Sequence, residues 1–177
     1  MAARGGTGRA GPGSSTAQGQ AGGQARAALE SVTESVAHLR APALEDPGAF
    51  VSDLARSLNN LSEREEDAGG PPGGSPIADR VIAEFAAGPA AELLAARARL
   101  RWLDDDRPNA LGYLRSAAYE AQRTEDPEWT GRARVAVRTT AQGIREEGAE
   151  DPSSTGLLQY AEILLAPRGA GQLTFPS

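Results

Sequence analysis

Arg97 and Arg101 stand one turn apart in the run Ala90–Leu103. Two guanidinium groups at that spacing can clamp a carboxylate or a phosphate with charge-assisted hydrogen bonds. The ligand suited to them is a peptide ending or carrying such a group. The opposing reading is a solvated strip paired to Asp104 or Asp105, which contributes little. Asn59 and Asn60 are the second polar constellation, with Arg56 on the same side of their run. An amide side chain offers a donor and an acceptor to a peptide unit. Plain solvent exposure or a contact between helices is the simpler explanation of the asparagines.

Other chemistries lack their parts. His38 is the single histidine and there is no cysteine, so disulfides, thiolate metal sites and a cysteine nucleophile are excluded. Asp104-Asp105-Asp106 is a run, not the spaced pattern of a calcium loop, and is expected to cap the helix after Pro108. The glycine-rich stretches at 5–13 and 69–74 hold no phosphate-loop lysine and follow no strand. The expectation is a chain that is not an enzyme, with no cofactor, no metal and no small-molecule substrate.

The net charge of −6 argues against nucleic-acid affinity, which needs clustered positive charge. No apolar run is long enough for a membrane span, and the first residues lack the apolar core of a secretory signal, so a cytoplasmic location is expected. All 18 basic residues are arginine, which, with abundant Ala, Gly and Pro, suggests a high-GC bacterium.

The elements that must position these residues are helical. At about 100° per residue, Leu54, Leu58 and Leu61 form one stripe, extended by Phe50 and Val51, with Arg56, Asn59 and Asn60 on the other side. Leu29, Val32, Val36 and Leu39 form the same kind of stripe one run earlier, with His38 projecting opposite. Each face must be buried against another helix. Ser75-Pro76, Asp126-Pro127 and Asp151-Pro152 read as helix starts. They open helices over about 77–87, ended by Gly88-Pro89, then 128–146 and 155–165, with others over 90–103 and 109–123. The run Ala90–Leu103 is apolar on two sides, Leu93, Ala96, Leu100 and Leu103 against Leu94, Ala98 and Trp102, as a helix sandwiched between neighbours is. Arg97 and Arg101 fall in the polar strip between those sides. In the run 128–146, Trp129, Ala133, Val137 and Ile144 share the core face, and Arg134, Arg138 and Arg145 the solvated one.

The fold class is all-α, divided into a disordered tail at 1–24, a helix pair at 25–66, a Gly/Pro linker at 67–75, a helical region at 76–166 and a frayed tail at 167–177. The pair and the later helices are expected to dock weakly across the linker, because each alone leaves an apolar stripe exposed.

The wording DPGAFVSDLARSLNNLS, preceded by RAALESVTESVAHLR, resembles the tetratricopeptide repeats, in particular the kinesin-light-chain-like variety common in actinobacterial proteins. In that resemblance 25–40 is the second helix of one repeat and 51–62 the first helix of the next; Ala98, Ala110 and Ala117 match the small positions of a divergent repeat in 90–123. Arg97 and Arg101 depart from its apolar first-helix positions. The resemblance implies stacked helical hairpins, a concave surface that receives a protein or peptide partner, and Arg56, Asn59, Asn60, Arg97 and Arg101 as the residues to meet it. The alternative is a truncated remnant of a larger multi-repeat signalling protein with no activity of its own.

Overall fold

The computed structural model describes residues 14–70, 75–147, 155 and 159, with the side chains of these from residue 22 onward. Its regular structure among the described residues is entirely helical: α1 Ser14–Glu45, α2 Pro47–Asp67, α3 Pro76–Ile82, α4 Ala87–Leu103, α5 Arg107–Arg123 and α6 Pro127–Glu147.

Local chemistry sets three of the starts. Asp46, Ser75 and Asp126 each offer a side-chain oxygen to an early backbone N–H, from Ala49 at 3.2 Å, Ala78 at 3.0 Å and Glu128 at 2.8 Å. A proline follows each of them, where a missing N–H costs nothing. Two ends share one geometry. Gly70 N–H reaches Glu65 C=O at 2.8 Å with Gly69 at φ 89°, and Asp106 N–H reaches Arg101 C=O at 2.9 Å with Asp105 at φ 60°. Glycine takes the left-handed position freely after α2, whereas Asp105 fills it after α4 as one of the few side-chain-bearing residues that tolerate it.

Three boundaries differ from the sequence expectations. Helix α1 begins at Ser14, inside the stretch assigned to the tail, and runs through Pro42 to Glu45. Helix α3 stops at Ile82, and Gly88-Pro89 lie in the first turn of α4 instead of ending the previous helix. Proline opens a helix as readily as it ends one, because first-turn N–H groups have no intrahelical partner. The third is at α5: Asp106 holds the N-cap position, but its carboxylate makes no bond to the α5 backbone. The expected helix at 155–165 and the tail at 167–177 lie outside the described residues, apart from Thr155 and Gln159.

Helices α1 and α2 form an antiparallel hairpin. Ser35 and Ser57, equally far in sequence from Asp46, meet hydroxyl to hydroxyl at 3.1 Å. Helix α4 lies at the centre, packed on α2, α5 and α6, and α5 also packs on α6. The α4–α6 ion pairs advance in the same direction along both helices, Glu92 with Arg132 and Arg99 with Glu147, so these two helices run parallel. Small α3 touches both α2 and α4. The N-terminal hairpin therefore docks on the later helices across the linker, and one core joins them. Leu54, Leu58, Leu61, Leu93, Leu114, Val137 and Ile144 are its fully enclosed large residues, interleaved with many alanines that allow close helix approach. A further strap, Arg40 to Glu84 at 2.6 Å, ties the end of α1 to the turn after α3.

Candidate functional site

The sequence singled out five polar residues, and the structure separates them into two groups. Arg97, Arg101 and Asn59 are buried, at 0%, 3% and 3% exposure, in the wall where α2, α4 and α5 meet. Arg56 and Asn60 remain exposed, with Arg56 3.7 Å from Asp53 one turn earlier. The polar strip of α4 does not look into an open concavity. Helices on three sides of α4 leave it no such outlook, so its arginines face neighbouring helices.

Within that wall each group has defined company. Arg97 Nη2 donates to Ser62 Oγ at 2.8 Å and to Tyr113 Oη at 2.7 Å, and its Cζ lies 4.2 Å from the Tyr113 ring centre. Arg101 donates to Asp106 at 3.2 Å and to Glu66 at 3.4 Å, not to Asp104 or Asp105. Asp106 is thereby spent on Arg101 and on Asn109, 2.9 Å away, which is why it leaves the α5 backbone uncapped. Asn59 Nδ2 donates to Glu63 at 2.7 Å and to Asp104 at 3.1 Å. These bonds link α2 to α4 and α5.

The enclosure leaves an electrostatic signature. Burial pulls the Arg97 guanidinium below its ordinary value, against the opposing pull of Tyr113 and the more distant Asp79. Burial likewise raises the Tyr113 phenol. Glu63 is raised first by burial and then by the neighbouring Asp104 carboxylate, with Arg101 and Arg64 acting the other way. A carboxyl raised in the folded state holds its proton more tightly than in the unfolded chain. Its contribution is complete below the ordinary glutamate value of 4.5 and is lost as pH rises through the folded value. Glu63→Gln, which keeps an oxygen for Asn59, should therefore stabilise the chain at pH 7, by no more than about 0.5 kcal/mol, the usual limit for a substitution at a partly exposed position. Urea titrations of both proteins at pH 7 and below pH 4 check this, with the difference closing at the acid end.

Two of the open clefts among the described residues border α4 and α6. One, of about 800 Å³, lies where the start of α4, the end of α5 and the start of α6 meet. Several of its polar groups are committed to local structure: Arg123 to Glu120, Thr124 to the Glu120 carbonyl and Asp126 to the α6 N-terminus. The other is a groove of about 470 Å³ between α4 and α6, bordered by Val51 and Ser52 of α2. Ala95, Ala96 and Ala136 contribute small side chains to it, and Thr139 and Thr140 contribute hydroxyls. Val135 lines it at 63% exposure. At one end Arg132 is pinned by Glu92 at 3.1 Å and by the Trp129 ring at 4.3 Å.

None of the five expected residues lines this groove. The signal for it was Val135 itself, an aliphatic residue next to Arg134 on the polar side of its helix. Among the described residues there is no group of three or more potential metal ligands, and no helix long and apolar enough to cross a membrane. No family model, curated protein or solved structure matches the chain.

Proposed function

We propose that this chain is a non-catalytic protein-interaction module of the tetratricopeptide-like kind, which receives an extended segment of a partner protein in the α2–α4–α6 groove. The observation that carries this reading is the groove's composition. A floor of alanines lets a backbone approach closely, and Ser52 and Thr139 bring hydroxyls that can donate to or accept from peptide groups, while Thr140 already donates to the Ala95 carbonyl. Exposed Val135 supplies the apolar wall. The volume of about 470 Å³ suits a short stretch of chain better than a folded domain. The ion pair of Glu92 with Arg132 leaves the rim without net charge, so the favoured segment carries small or β-branched side chains and few charges.

The arrangement of helices is consistent with the resemblance. Helix α2 would be the first helix of one repeat, α3 a shortened second helix, α4 and α5 a full repeat, and α6 the first helix of the next. The first helices of such repeats line the surface that receives a ligand.

The test uses a random peptide library displayed on phage and selected on the full-length chain. Selected peptides should bind at least about tenfold more weakly to Val135→Asp, the loss of about 1.4 kcal/mol expected when a charge replaces an apolar wall. The thermal midpoint of that variant should stay near the parent's, because Val135 is exposed. A library that yields no peptide above background, or peptides indifferent to Val135→Asp, would favour a remnant with no binding activity.

A further inference from the structure

The least conventional group in the molecule is Arg97. Among the described residues it is the largest fully buried side chain, and none of their carboxylates forms an ion pair with it. Arg101, one turn on, is also buried but is neutralised by Glu66 and Asp106. Arg97 bonds only to two hydroxyls and rests on an aromatic face, with Asp79 acting on it from beyond bonding distance, and both hydroxyls meet the same nitrogen, Nη2. Its Nε and Nη1, and the Nε of Arg101, are enclosed with no acceptor. A guanidinium has five N–H groups, so the one on Nε and the two on Nη1 are left unmatched on Arg97.

Buried donors without acceptors are costly, and a buried charge without a counter-charge more so. A water molecule could accept from these donors but would leave the charge uncompensated. A small anion answers both deficits. We propose that the Arg97 guanidinium, where α2, α4 and α5 meet, is an internal binding site for a halide-sized inorganic anion, with Arg97 Nε and Nη1 as its donors. Enclosure sets the size: with Arg97 at 0% exposure, a peptide carboxylate or a bulky phosphate ester cannot reach it without parting the helices. The site is separate from the α2–α4–α6 groove and does not depend on what that groove binds. Its effect is structural. The ion completes a junction in which Ser62 of α2 and Tyr113 of α5 already converge on one arginine of α4, so cohesion of the three helices becomes anion-dependent.

Chloride and bromide are the probes. In denaturant titrations at fixed ionic strength, with gluconate replaced by chloride, the unfolding equilibrium constant of the full chain should fall about tenfold at a chloride concentration ten times the dissociation constant. Arg97→Met, which replaces the cation by an apolar chain of similar length, should abolish that dependence whatever its own stability. Crystals grown in bromide should show anomalous scattering within contact distance of Arg97 Nε or Nη1, a measurement that needs no variant. Ordered waters alone at those nitrogens, or equal stability in chloride and gluconate, would overturn the proposal.

Discussion

Leu58→Ala should unfold in one transition about 3 kcal/mol less stable than the parent, within the 2–5 kcal/mol range for truncating an enclosed leucine. Leu58 is fully buried on α2. On that helix Ser57 meets α1, while Asn59, Ser62 and Glu66 reach α4 and its following turn. Leu58 falls between these two sets of positions, at the junction of hairpin and array. The cavity would therefore weaken both sides together, and the midpoint of thermal unfolding should drop by about 10 °C for a chain of this size. Circular dichroism and tryptophan emission should report the same shifted transition, because Trp102 lies in α4 and Trp129 in α6, far in sequence from the substitution. An unshifted tryptophan transition beside a shifted helical one would mean that the hairpin melts by itself.

Gly88→Ala is the second large effect, and it runs against ordinary helix propensity. A Cβ on Gly88 would lie 2.4 Å from Trp129 Cβ and 2.8 Å from Trp129 Cγ. Trp129 Cβ is fixed to the α6 backbone and cannot swing away, so the first turns of α4 and α6 would have to separate. Overpacking of this kind costs about 1–3 kcal/mol. The gain from replacing glycine in a helix is at most about 1 kcal/mol and smaller in a first turn. The net expectation is a loss of about 2 kcal/mol, with a shift in Trp129 emission. Gly112→Ala is the control. Nothing lies within 4 Å of its Cβ, so it should stabilise by about 0.5–1 kcal/mol. Displacing Trp129 also disturbs Arg132, which rests on its ring at the end of the groove, so Gly88→Ala should weaken peptide binding as well.

These residues show how much could be read from the sequence. Helix starts were legible at Ser75 and Asp126 because a cap and its proline act within three residues. The apolar stripes of α2 and α6 were legible for the same reason: periodicity is local. Gly88-Pro89 was misplaced because the pair punctuates either end of a helix, and only the packing of Trp129 on Gly88 decides which. The burial of Arg97 was not legible, since arginines one turn apart read as a surface strip unless it is known that three helices enclose them. Leu103 shows the converse, an apolar residue counted in a core stripe that the structure leaves 61% exposed at the end of α4. The groove was hidden most deeply. Its residues come from three helices, and Ala95, Ala96 and Ala136 look like ordinary packing alanines until those helices are set side by side.

Hydrogen–deuterium exchange on the purified full-length chain tests the central claim, that the N-terminal hairpin and the later helices form one packed array. Matched slow exchange in Val51–Ser62 and in Ala90–Arg123 is the expected result, because Asn59, Ser62 and Glu66 bond across to the α4 region. Rapid exchange through residues 26–62, with protection confined to the later helices, would contradict it and remove the α2 border from the groove.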